Sequence, residues 1–382
     1  MAESAAAGPP IKLPILDISD PKDPLVGKAM LGAATKYGFL YVDSKGTDFA
    51  ADDVRKAFER SKSFFASPVE EKEPCRIQSN NRGWCACTLR LWILNISGSI
   101  GDFKEVFNFG EFNQAGKAQQ PLPPSLAPHE PEIRHFAELC NKTCARILSL
   151  LALGLKVSPS FFTTAHDPTQ GSTGCILRYL YYPSISAPAT ATYDHAVDVR
   201  AGAHSDYGSI TLLFQRPGQP GLEIRTPEGG WAPVPVEPGK FNSKHDSQDG
   251  NGDGDAGEFA FPPILVNIGD LLSYWTDGLL KSTVHRVVFP ASERTGNASQ
   301  DRYSIVYFCH PLDKTELVPV PSEMVKAYRE GKDAGQLEEE KVGFGGGAGN
   351  LEPGKRALTA VEHLMLRLNA TYDFRKGEET AV

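Results

Sequence analysis

From Cys175 onward the chain is written in short runs of Ile, Leu, Val, Tyr and Phe cut by Gly and Pro, and this texture constrains the fold more than any other feature. The runs are 175–182, 209–214, 221–225, 264–268, 284–289 and 303–309. Each is too short for a buried helix and rich in β-branched and aromatic residues, so each predicts a strand. Many short strands at this spacing predict a β-sandwich or barrel, not a parallel α/β sheet. Elsewhere the period changes. Helices are predicted over 24–37, stopping at Gly38; over 52–65, with Val54, Ala57, Phe58, Ser61, Phe64 and Phe65 on one face and Pro68 beyond; and over 133–155. Brief strands are expected at 13–18 and 39–42, and helical pieces at 322–329 and 359–368 on either side of a Gly-rich loop, 343–349.

The longest helical pattern places Ile133, Phe136, Cys140, Cys144, Ile147, Leu148 and Leu151 on one face. Cys140 and Cys144 have i, i+4 spacing that could ligate a metal, but small hydrophobes in a buried stripe is the simpler reading. Residues 240–258, KFNSKHDSQDGNGDGDAGE, carry four glycines, five acids and one large apolar side chain, which predicts a mobile surface insertion. Its DGNGDGD run begins like a calcium loop, yet the twelfth position counted from Asp249 is Ala260, where an EF-hand needs a bidentate Glu.

Charge and cysteine usage narrow the function classes. With 39 Lys+Arg against 47 Asp+Glu the net charge is -8, which argues against a nucleic-acid backbone or an anionic membrane as the main partner. Seven cysteines with no CxxC pair suit reduced thiols in the cytoplasm. The first fourteen residues lack a basic start and an apolar stretch, so no secretory signal is expected, and the apolar runs 89–100 and 147–155 are too short to span a bilayer.

The chemistry is carried by His204, Asp206 and His285. On a strand, residues i and i+2 face one side, so His204-Ser205-Asp206 is expected to aim an imidazole and a carboxylate at one point while Ser205 faces away. His285 opens the strand-like run HRVVFP, and an antiparallel partner could carry it to the same point. Two His and one carboxylate form the open facial set suited to non-haem Fe(II) oxygen chemistry, and their single negative charge leaves room for an anionic chelating co-substrate. Arg302 and Ser304 are likewise i and i+2 on an apolar strand and can hold that co-substrate's far carboxylate.

The ordered blocks GAHSDYGSITLLFQ, GLEIR, GGWAPVPVEPG, ILVNIGDLLSYWTDGLLKSTVHRVV and RYSIVYFCHP resemble the isopenicillin-N-synthase-like 2-oxoglutarate and Fe(II)-dependent dioxygenases. LPILDISD, KYGFLYV and GDFKEVFNFGEF resemble that family's non-haem dioxygenase N-terminal region. The resemblance implies a mainly β fold with flanking helices: a distorted jelly-roll, or double-stranded β-helix, at 171–312, an N-terminal region at 1–170 and a helical extension at 313–382. It implies His204, Asp206 and His285 as iron ligands, with Arg302, Ser304 and Tyr182 on 2-oxoglutarate. It further implies O2 as oxidant, ascorbate as a stimulant and a small-molecule metabolite as substrate, hydroxylated, desaturated or cyclised with release of succinate and CO2.

Two departures stand out. Leu180 occupies the position where relatives often carry Asn, and the usually polar stretch between Arg82-Gly83-Trp84 and GDFKE is the apolar CACTLRLWILNISGSIG, 85–101. That segment is either a hydrophobic wall of the substrate mouth or the product of an incorrect gene model; its clash with the neighbouring polar block favours the second. Two other functions remain open: an oxidase of the isopenicillin N synthase type, with Arg302 and Ser304 on a substrate carboxylate, and a non-catalytic metal-dependent binding protein.

Overall fold

The computed structural model describes residues 8–86, 103–190, 199–238, 261–290, 293, 299–331, 347–349 and 356–372. The insertion 240–258 with its calcium-like run, the apolar segment from 87 to 101 and most of the loop 343–349 lie outside the described residues.

The strands are β1 (Ile15–Leu16), β2 (Phe39–Val42), β3 (Gly83–Cys85), β4 (Glu105–Phe109), β5 (Ile176–Tyr182), β6 (Ala201–His204), β7 (Ile210–Gln215), β8 (Leu222–Arg225), β9 (Trp231–Pro233), β10 (Ile264–Ile268), β11 (His285–Val287) and β12 (Arg302–Cys309). The helices are α1 (Pro24–Lys36), α2 (Ala51–Ala66), α3 (Val69–Lys72), α4 (Glu130–Gly154), α5 (Ser160–Ala165), α6 (Asp270–Trp275), α7 (Glu323–Glu330) and α8 (Ala360–Tyr372). Among the described residues the strands form an eight-stranded sheet, β1-β2-β10-β7-β12-β5-β4-β3, and a four-stranded sheet, β6-β11-β8-β9. Pairing is antiparallel throughout except between β1 and β2.

Strand alternation sorts side chains into two cores. Along β12, Ile305, Tyr307 and Cys309 face the helices and join Met30 of α1, Phe64 of α2 and Ile147 and Leu151 of α4 in one cluster. Val306, on the opposite face, joins Phe39, Tyr41, Leu180, Tyr182, Leu213 and Leu265 of the large sheet against Ala201, Leu222, Ile224 and Val287 of the small one. Helices, large sheet and small sheet therefore stack in three layers. The architecture is the mainly β jelly-roll with flanking helices that the sequence implies, with sheets that do not close into a barrel.

Local signals explain the boundaries. Asp23 caps α1 by accepting from the Leu25 N–H at 2.7 Å, and Pro24 starts it. Gly38, at φ +67°, ends it with its N–H on Ala33 O, a left-handed conformation that glycine adopts without penalty. The opening strand is shorter than the expected 13–18 because Pro14 has no N–H to pair and the Asp17 side chain folds back onto the Ser19 N–H. Cys140 and Cys144 sit in the buried stripe of α4, and all six cysteines among the described residues are free thiols. No helix among the described residues is long and apolar enough to cross a membrane.

Candidate metal centre and co-substrate cradle

In the small sheet His204 and His285 stand directly opposite each other in the β6–β11 ladder, with ring centroids 4.4 Å apart. Asp206 completes the group: its Oδ1 lies 3.9 Å from His204 Nε2 and 3.7 Å from His285 Nε2. One expectation is corrected here. His204 and Asp206 do not share a strand, because β6 ends at His204 and Asp206 sits in the turn that follows. That turn is held by backbone bonds instead: Asp270 N–H to Asp206 O at 2.7 Å, Leu271 N–H to Gly208 O at 3.1 Å and Gly269 N–H to Ser209 O at 2.9 Å. A Cβ on Gly269 would stand 2.2 Å from Gly208 O, so only glycine allows α6 to abut the turn. Ser205 does face away from the two histidines, toward Asp270.

The hydrogen bonds prepare all three side chains as donors. His204 Nδ1 meets Gly202 O at 2.7 Å and His285 Nδ1 meets Thr283 O at 3.0 Å. A carbonyl can only accept, so each Nδ1 carries the proton and each Nε2 presents its lone pair toward Asp206. Asp206 Oδ2 accepts from Thr211 Oγ1 at 2.7 Å and Asn267 Nδ2 at 2.8 Å, leaving Oδ1 for the site. Burial would raise the Asp206 pKa, but the two imidazoles and these hydrogen bonds outweigh it and hold the carboxyl below its usual range. The His204 side chain is 39% exposed, yet desolvation and then the His285 ring push its pKa down to about 4, so it is neutral near pH 7. Two imidazole nitrogens and one carboxylate oxygen, all within 4.8 Å of one another, fit a ferrous ion and leave its remaining positions open.

A second polar group lies on the inner face of the large sheet. Arg302 stands opposite Tyr182 in the β12–β5 ladder and Ser304 opposite Gln215 in the β12–β7 ladder. The Arg302 guanidinium is 2% exposed and lies 5.1 Å over the Tyr182 ring. Its hydrogen bonds are long and go to neutral groups: Gln219 O at 3.3 Å, Ser304 Oγ at 3.4 Å and Gln215 Oε1 at 3.4 Å. Among the described residues no carboxylate lies within ion-pair distance of it, the neighbouring Glu293 being engaged by Arg200 at 3.2 Å. Burial pushes the Arg302 pKa down, and Gln215 Nε2 is buried without a hydrogen-bond partner. A guanidinium and an amide left this way form a cradle for an anion. Gln215 at the cradle and Thr211 at the triad are four residues apart on β7, roughly 13 Å at ~3.3 Å per residue, a span that two inward-reaching side-chain groups and a five-carbon diacid can bridge.

The structure thus gathers His204, Asp206 and His285 at one point and Arg302, Ser304 and Tyr182 at another. Leu180 is an apolar wall residue of the inner core. Sequence reasoning missed Thr211, Asn267, Gln215 and Asp270. Asn267, the lone polar residue in the buried run ILVNI, was the signal that could have found the carboxylate's partner. A separate cleft of about 490 Å³ lies between α4, α5 and the end of β12, lined by Cys144, Thr163, His166 and Cys309, and shares no residue with either group.

Comparison with known proteins agrees with this geometry. Residues 13–130 match the model described as non-haem dioxygenase in morphine synthesis N-terminal, and 173–248 with 246–311 match the 2OG-Fe(II) oxygenase superfamily. UPF0676 protein C1494.01 of Schizosaccharomyces pombe is 32% identical over 343 residues, covering 87% of this chain and 92% of that protein. Proline hydroxylase buaE of Petromyces alliaceus is 30% identical over 292 residues, covering 73% and 79%. A full-length Neurospora crassa protein crystallised with alpha-KG and thymine superposes with a TM-score of 0.68 at 26% identity, covering 94% of this chain and 97% of that one. The chain belongs to the 2OG-Fe(II) oxygenase superfamily and is an enzyme that uses Fe(II), 2-oxoglutarate and O2 to oxidise a small molecule.

Proposed function

We propose that His204, Asp206 and His285 hold the ferrous ion, that Arg302 and Ser304 take the distal carboxylate of 2-oxoglutarate, and that Tyr182 packs along it. The buried Arg302, with no anionic partner among the described residues and on the inner face that also presents Thr211 to Asp206, carries this reading. Iron bound there with 2-oxoglutarate supplies O2-dependent attack on a substrate C–H bond, with succinate and CO2 released. The chain's own part is to aim two imidazoles by backbone carbonyls, fix the Asp206 carboxylate by hydrogen bonds from Thr211 and Asn267, and orient the co-substrate from its far end.

In this reading 171–312 houses the reaction centre, 1–170 supplies the helical cover and the edge strands, and 313–382 buttresses it. The substrate is a small metabolite, as in the named relatives, which include a proline hydroxylase and a homoarginine-6-hydroxylase. The free thiols support a cytoplasmic location. The test is anaerobic loading with Fe(II), titration of 2-oxoglutarate to a visible charge-transfer band, and then a screen of candidate metabolites for O2-dependent succinate. Asp206→Ala should lose iron and turnover. Oxygen consumption with substrate but without 2-oxoglutarate would reassign Arg302 to the substrate.

A further inference from the structure

The two segments that bear the three ligands meet at a buried carboxylate that the reaction itself does not use. Asp270, 4% exposed at the start of α6, donates its backbone N–H to Asp206 O and accepts side-chain bonds from Ser205 Oγ at 3.1 Å and Ser282 Oγ at 2.6 Å. Ser205 stands between His204 and Asp206. Ser282 adjoins Thr283, whose carbonyl fixes the His285 tautomer. One carboxylate therefore ties the β6 turn to the approach of β11.

Its countercharge comes from the far end of the chain. Arg367 of α8 places Nη2 2.5 Å from Asp270 Oδ2 and 3.3 Å from Ser205 Oγ, with its guanidinium 5.1 Å over the Tyr207 ring. We infer that Arg367 is a positioning residue for the metal centre: through Asp270, Ser205 and Tyr207 it holds the His204–Asp206 turn and the His285 strand in the spacing that binds iron. The inference rests on the ligand assignment proposed above. A buried carboxylate stripped of its countercharge draws in water or shifts toward it, and either movement loosens the two serine bonds that hold the ligand segments. Partners one shell out from a metal typically change its affinity ~10–100-fold when removed.

Helix docking is separable from this role. The helix is also held by His363, whose ring lies 5.3 Å from that of Tyr274, and by the bridge between Glu316 and Thr359. Neither contact involves Asp270, Ser205 or Tyr207.

The experiment measures Fe(II) affinity of the full-length apoprotein by competition with a chromogenic ferrous chelator, alongside melting temperature. Arg367→Met is expected to bind iron about 10-fold or more weakly. Arg367→Lys keeps the charge without the reach to Ser205 and Tyr207 and is expected to fall between Met and wild type. At saturating iron, 2-oxoglutarate affinity should be unchanged, because Arg302 is untouched. A folded Arg367→Met with wild-type iron affinity overturns the inference. So does an equal loss in His363→Ala, which would assign the effect to helix docking. If Arg367→Met does not fold, wild-type affinity in Arg367→Lys overturns it. Asp206→Ala is the control on the ligand reading: if that variant keeps iron, the triad assignment fails first, whereas loss there with retention in the Arg367 variants sinks the positioning role alone.

Discussion

Replacing Arg302 by Gln should move co-substrate affinity and apoprotein stability in opposite directions. The guanidinium is 2% exposed, and its three hydrogen bonds, at 3.3 to 3.4 Å, all go to neutral acceptors. Without co-substrate it is a desolvated cation with no carboxylate at ion-pair distance among the described residues, so removing its charge should leave the melting temperature unchanged or higher. With 2-oxoglutarate bound, it is the partner of a carboxylate in a water-poor site, and truncating one member of such a pair costs ~2 to 5 kcal/mol. At about 1.4 kcal/mol per decade this is a loss of roughly 30-fold or more in 2-oxoglutarate affinity. The assay is anaerobic titration of the Fe(II)-loaded variant, read by the charge-transfer band, together with melting curves with and without 2-oxoglutarate. Iron affinity should hold, since Arg302 bonds to Gln219, Ser304 and Gln215 and to no member of the triad. Unchanged 2-oxoglutarate affinity, or a large destabilisation of the apoprotein, would refute the cradle.

Acid should destabilise the metal-free protein early. Burial holds His166 and His363 down to about 4 and His310 to about 3, so between pH 6.5 and 4 the unfolded chain binds protons that the folded chain refuses, and stability falls as pH falls. Each contributes roughly 2 kcal/mol between pH 7 and 5, offset in part by Glu111, Asp270 and Asp313, which burial raises. A denaturant midpoint that stays flat from pH 7 to 5 would contradict this. Deleting residues 242–257 should leave iron binding and melting temperature intact, because so polar a segment has little to bury and closure entropy changes slowly with loop length. A deletion variant that melts or loses iron would show the segment to be structural.

The period of the apolar residues and the spacing of a few polar ones were legible before any coordinates. The alternation along 303–309 made Arg302 and Ser304 neighbours on one face, and β12 bears this out because period-two geometry is local. The same rule misled at His204 and Asp206, where β6 ends and long-range bonds from Gly269, Asp270 and Leu271 shape the turn. The three-residue strands β3 and β9 and the six-residue α6 carry too few residues for a periodic signal and owe their existence to pairing and packing partners. Which buried carboxylate meets which cation was beyond the sequence as well. Arg367 reaches Asp270 because α8 folds back across α6, and among the described residues Glu293 pairs with Arg200 and not with Arg302. Such pairings join residues far apart in the chain, and nothing local encodes the layer stacking that closes the distance between them.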